Sequence, residues 1–158
     1  MKRIFGDTLY WGAVLHERDQ YRAGAIRARA TLGDVTLVTT GEVLAELLDG
    51  LAHRGPYLRE AAARAVRKIL TNPRVIVHRQ SDASFLAGLQ LYEQRLDKGY
   101  SLVDCVSMTT MRKHEIGEVL TNDHHFTQEG FKTLLLGSGF PLRPPDFRPA
   151  AMAALRYE

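Results

Sequence analysis

The stretch Lys2-Arg3-Ile4-Phe5-Gly6-Asp7-Thr8-Leu9-Tyr10-Trp11 decides the fold. A short apolar run reaches a carboxylate at Asp7, and a helical pattern follows at once. A first β-strand delivers an acid to the carboxyl edge of a parallel sheet in this way, and open α/β sheets bind their ligands in the crevice outside that edge. Residues 3–6 are therefore expected to be strand and residues 9–30 one helix, whose second half is rich in alanine and arginine.

Outward from this start, strands and helices alternate. Gly33-Asp34 is a turn, and Val35-Thr36-Leu37-Val38-Thr39 is β-branched and apolar, which predicts a second strand. Thr39-Thr40-Gly41-Glu42 has the form of a capping box, with Thr39 at the N-cap and Glu42 three residues on. Val43, Leu44, Leu47, Leu48 and Leu51 then form one apolar stripe at helical spacing, ended by Arg54-Gly55-Pro56. Further helices are expected over 57–70, from the Ser81-Asp82 cap to about 96, and from a Ser101 cap to about 114. Val75-Ile76-Val77-His78, Val119-Leu120-Thr121 and residues 131–136 supply the remaining strands. This order predicts an α/β fold with a mainly parallel sheet of about five strands, covered on both faces. It occupies residues 1–136. Residues 137–158 hold four of the six prolines and are expected to form a separate C-terminal extension.

At 158 residues the chain suits one domain with a real core. Its net charge of +3 is mildly basic and favours an anionic partner only weakly. The single cysteine, Cys105, sits in an apolar run and excludes an internal disulfide, which fits a reducing compartment. No apolar stretch approaches the ~20 residues of a membrane span, and no signal-peptide hydrophobic region opens the chain. A cytoplasmic location is expected.

Four acids can be brought to the sheet edge. Asp7 follows the first strand, where it could equally be a helix cap, unless Thr8 caps and leaves it free. Glu46 borders the leucine stripe and has no capping task. Asp104 lies among Leu102, Val103, Cys105, Val106, Met108 and Met111, at the start of a helix apolar nearly all round; Ser101 and Asp104 also have capping-box spacing. Asp123 follows the fourth strand in Thr121-Asn122-Asp123-His124-His125-Phe126. Four converging carboxylates raise one another's pKa unless a cation intervenes. An all-oxygen set suits Mg²⁺ or Mn²⁺ and points to metal-dependent hydrolysis of phosphodiester bonds, in RNA above all. The adjacent histidines suggest zinc only superficially, since no cysteine or spaced histidine pair completes a set.

Phe5-Gly6-Asp7-Thr8, Val43-Leu44-Ala45-Glu46-Leu47, Ser101-Leu102-Val103-Asp104-Cys105 and Leu120-Thr121-Asn122-Asp123-His124-His125-Phe126, in this order, resemble a PIN domain, the compact nuclease fold of VapC-type toxins and related RNases. The resemblance covers about residues 3–136. It implies a three-layer α/β/α fold and Mg²⁺ or Mn²⁺ held by Asp7, Glu46, Asp104 and Asp123, with Thr8, Thr121 and Asn122 as polar support. It also implies an RNA substrate, a cognate antitoxin as in type II toxin–antitoxin pairs, and a homodimer. Gly6 stands where an apolar residue is usual, a departure expected to loosen the strand end.

Other classes fit less well. A haloacid-dehalogenase-like phosphatase needs an acid at position 9, which is leucine, and a response-regulator receiver needs one after the third strand, which ends Val77-His78-Arg79. The alternatives that remain are a PIN-like module that binds RNA or protein without cutting, and a PIN RNase outside any toxin–antitoxin system. Arg22, Arg27, Arg112 and Lys113 are candidate phosphate contacts. Tyr10 and Trp11 are candidates either for base stacking or for the core.

Overall fold

The structure, a computed structural model, describes residues 1–135. The expected extension over 137–158, and residue 136 of the expected last strand, lie outside the described residues.

Five strands form the sheet: β1 (Lys2–Gly6), β2 (Val35–Thr40), β3 (Val75–His78), β4 (Glu118–Leu120) and β5 (Lys132–Thr133). Their order is β3-β2-β1-β4-β5, and every neighbouring pair is parallel. Among the described residues seven helices accompany them: α1 (Thr8–Leu15), α2 (Arg22–Thr31), α3 (Gly41–Leu51), α4 (Pro56–Thr71), α5 (Asp82–Gln94), α6 (Leu102–Lys113) and α7 (His124–Gln128). Helices α1 to α4 pack among themselves, as do α5 to α7. With the sheet they make the expected three layers. Ile4 and Phe5 are both fully buried although they point to opposite faces of β1. The central strand is thus covered on both sides, as a parallel sheet requires.

The order reverses at β1. The chain moves outward from β1 to β2 and β3, then returns to the other side for β4 and β5. The crevice above β1 and β4 is therefore the topological switch point, where such sheets bind their ligands. The Asp7 N–H reaches the Leu120 carbonyl at 3.4 Å, so the two strands stay together up to this edge.

Two local expectations are corrected. The single helix over 9–30 is broken into α1 and α2. His16 is extended, and the His16 and Asp19 side chains accept hydrogen bonds from the Arg18 and Tyr21 N–H groups (3.1 and 2.7 Å). Such local bonds compete with helix continuation. Arg22 donates to the Val14 carbonyl, covering an end of α1 that the break exposes. The cap of α3 is Thr40 rather than Thr39: its hydroxyl accepts from the Val43 N–H at 3.2 Å. Thr39 is already engaged, donating its hydroxyl to the Gly6 carbonyl at 2.9 Å.

That bond belongs to a brace at the end of β1. The Trp11 indole N–H also donates to the Gly6 carbonyl, at 2.9 Å. A Cβ at Gly6 would lie 2.9 Å from Trp11 Nε1 and 3.0 Å from two of its ring carbons. Gly6 therefore tightens the strand end instead of loosening it, because its missing side chain admits the indole. Gly6→Ala should lower stability by about 1–3 kcal/mol, the usual cost of forcing an extra methyl into a packed core. Urea unfolding checks this, and an unchanged midpoint would show that the indole is not locked in place.

Candidate metal centre

Asp7 occupies the N-cap position of α1, yet its side chain makes no capping bond. Its Oδ2 instead accepts from the Thr121 hydroxyl at 2.9 Å, across the β1–β4 junction. The same hydroxyl accepts from the Asp123 N–H at 3.2 Å. Thr121 thereby links the first acid to the last. Asp7 and Thr121 are both buried, as is Asn122.

Glu46 lies half-buried on α3, whose start is fixed by the Thr40 cap. Its Oε2 accepts from the Thr8 hydroxyl at 2.5 Å. Thr8 is therefore a partner of Glu46 and not a cap that frees Asp7. Asp104 completes a capping box at the start of α6: it accepts from the Ser101 N–H at 2.8 Å, while its own N–H donates to the Ser101 hydroxyl at 3.0 Å. Asp123 caps α7, accepting from the His125 N–H at 2.9 Å.

Electrostatics shows that these acids converge. Burial pushes the Asp7 carboxyl well above its ordinary pKa, and the charges of Asp104 and Glu46 push it further. The Thr8 backbone N–H and the Thr121 hydroxyl oppose the rise without reversing it. Burial likewise raises Glu46; Thr8 opposes, and Asp104, Asp123 and Asp49 add to the rise. For both groups hydrogen bonds oppose the rise without cancelling it. Acids in this state are what a hard divalent cation stabilises, so the residues present fit Mg²⁺ or Mn²⁺.

His125 is the site residue that sequence reasoning passed over. Its Nδ1 lies 3.3 Å from Asp123 Oδ1 and 3.7 Å from Asp104 Oδ2. The signal was its place two residues after Asp123 at a helix start, which turns the side chain back toward the cap. Ligand atoms of Asp123, His124 and His125 also lie within 4.8 Å of one another. His124, however, is largely exposed, whereas His125 faces the acids.

The candidate RNA contacts fare differently. Arg22 is held by the Val14 carbonyl. Arg112 pairs with Glu129 and lies 5.5 Å from the Phe131 ring centre. Arg27 and Lys113 are exposed. Tyr10 and Trp11 are 4% and 6% exposed, which places both in the core and removes them as stacking platforms.

The raised carboxyls fix a pH response. In the unfolded chain they ionise near pH 4; in the fold they hold their protons to higher pH. Their stabilisation is fully present below that range and is lost as pH rises through the folded values. Metal-free Asp7→Asn should therefore unfold roughly 2–8 °C higher than the metal-free parent at pH 7.5, what about 1–2 kcal/mol gives in a domain of this size. The two should converge near pH 4. Calorimetry in EDTA tests this, and parallel curves at all pH would contradict it.

The family model for the PIN domain matches residues 4–132. Comparison with curated proteins finds no match. Among solved structures, the chain is similar to VapC20 of Mycobacterium tuberculosis, a sarcin-ricin loop cleaving toxin. The two are 26% identical with a TM-score of 0.72, over 81% of this chain and 95% of that one. With most of its length matched by the family model, and its acids gathered at the switch point of the sheet, the chain belongs to the PIN domain family, of VapC type.

Proposed function

We propose that the protein is a metal-dependent endoribonuclease, the toxin of a type II toxin–antitoxin pair. The observation that carries this reading is the buried Asp7, tied through Thr121 to Asp123 and raised in pKa by burial and by the charges of Asp104 and Glu46. Asp7, Glu46, Asp104 and Asp123 would hold Mg²⁺ or Mn²⁺, which when bound supplies charge neutralisation at the scissile phosphate and an activated water. The chain's own part is orientation. Thr121 aims Asp7, Thr8 aims Glu46, Ser101 fixes Asp104, and the first turn of α7 fixes Asp123. The similar toxin acts on the sarcin-ricin loop, which supports a structured RNA loop as this chain's substrate class. Arg27 and Lys113 are the exposed cations offered to its backbone.

The partner reading has structural support too. A groove of about 760 Å³ runs between the end of α1 and one face of α4. Val14, Leu58 and Ala61 give it an apolar lining, and Arg54, Arg64 and Lys68 make it cationic. An amphipathic antitoxin helix with acidic flanks suits it. Phe85, Leu86 and Tyr92 on α5 are exposed, which supports a homodimer. No described helix is long and apolar enough to cross a membrane; the proposed site of action is the cytoplasm. A monomer by sedimentation at micromolar concentration would remove the dimer. An antitoxin helix that binds Lys68→Glu as well as the parent would remove the groove.

The direct test is incubation of structured RNA with purified protein in Mg²⁺, Mn²⁺ or EDTA. Cutting is expected with metal, and none in EDTA. Asp104→Asn can still accept the Ser101 N–H, so its fold should survive while its activity falls by at least ~100-fold, the scale of losing an electrostatic group in a reactive site. Cleavage unaffected by EDTA, or retained by Asp104→Asn, would refute the reading.

A further inference from the structure

Glu129, at the far end of α7, is the best-anchored acid outside the proposed site. Its side chain is 4% exposed and accepts from Arg95 Nε at 2.6 Å, from Arg112 and from the Tyr100 hydroxyl at 3.1 Å. Burial alone would raise its pKa; the bonds from Arg95, Arg112 and Tyr100 outweigh burial and bring it down to about 2. Burial and Glu129 push the Tyr100 hydroxyl up to about 12. The cluster therefore keeps its charges across the whole neutral range.

This anchor reaches the acids along two short paths. Tyr100 immediately precedes Ser101, the cap that holds Asp104. Its ring also backs the His125 ring, with centres 5.1 Å apart at 60°. Helix α7 is only five residues, ~7 Å long. Asp123 caps one end of it, and Glu129 closes the other against Arg95 of the α5 end and Arg112 of α6. Between these fixed points His125 presents Nδ1 to both Asp104 and Asp123. A ring nitrogen facing two carboxylates is favourable as an N–H donor.

We propose that His125 is a positioning residue: backed by Tyr100 and the Glu129 cluster, it spans Asp104 and Asp123 and sets their separation for a divalent cation. The inference rests on the four-acid metal reading and names what holds half of that site in register. Groups that orient ligating carboxylates without touching the ion alter metal affinity about 10–100-fold when removed.

The test is Mn²⁺ binding to metal-stripped protein at one pH, read from the electron paramagnetic resonance signal of free Mn²⁺, beside thermal unfolding without metal. His125→Phe keeps a ring against Tyr100 but removes Nδ1. His125→Asn returns an amide N–H near that position. Mn²⁺ affinity should fall about 10–100-fold in His125→Phe and return to within ~3-fold of the parent in His125→Asn, with both metal-free proteins unfolding near the parent temperature. Should phenylalanine not be accommodated, His125→Ala takes its place in the same assay. Equal affinity in parent and His125→Phe overturns the inference alone, and so does a loss that asparagine does not recover. A parent protein that binds no Mn²⁺ overturns the four-acid reading with it.

Discussion

Like-charge repulsion within a partly dry crevice is the constraint on which the rest of the structure depends. A pair of carboxylates at ~5 Å, with an effective dielectric of ~20, costs roughly 3 kcal/mol. A domain's whole stability is only about 5–15 kcal/mol. Gathering Asp7, Glu46, Asp104 and Asp123 at one edge therefore consumes a considerable part of what the core provides, a cost the proposed cation would relieve. The fold must supply a scaffold stiff enough not to relax the acids apart. The parallel β1–β4 junction, braced at Gly6 by Trp11 and Thr39, is that scaffold.

The partners chosen for these acids follow from the same constraint. Each carboxylate accepts from a neutral donor, a threonine hydroxyl for Asp7 and Glu46 and a backbone N–H for Asp104 and Asp123, and the His125 ring also faces the last two. A salt bridge would hold them more firmly, as Arg95 and Arg112 hold Glu129. It would also cancel the charge that makes the site attract a cation. Neutral donors fix direction and leave the field negative. Glu129 is pulled down to about 2 by its cationic and phenolic partners, whereas Asp7, among other acids, is pushed well up.

The sequence made the alternation of strands and helices legible because each strand is a short β-branched or apolar run and most helices have a cap. It also showed the four acids, since each follows a strand or opens or borders an apolar helix. What it could not show was, apart from one local break, tertiary in origin. The break at His16–Asp19 depends on side chains turning onto their own backbone, in a stretch whose composition still reads as helical. The Thr39–Thr40 exchange of roles is decided by the Gly6 carbonyl, 33 residues away. Gly6 itself looked like a weakness because the indole that needs its space was not yet in view. His125 was hidden for a similar reason. Its partner Asp104 is distant in sequence, and beside His124 it suggested only a zinc pair that nothing completes.

The topology also explains why the acids are tolerable on their own. In a parallel α/β sheet every helix that follows a strand begins at the carboxyl edge. Asp7 stands at the N-cap of α1 and Asp123 at the N-cap of α7, helices that follow β1 and β4, while Asp104 lies in the first turn of α6, which follows α5. Helix N-termini carry a partial positive charge of about half a unit, and acids there are stabilised by about 0.3–1 kcal/mol each. Such ends offset part of the repulsion among the acids. Glu46, in the second turn of α3, lies beyond that effect and has the Thr8 hydroxyl instead. The proposed divalent ion would relieve the repulsion that remains. The site is therefore assembled by the backbone, and the side chains that the sequence advertises are placed where the fold can bear their charge.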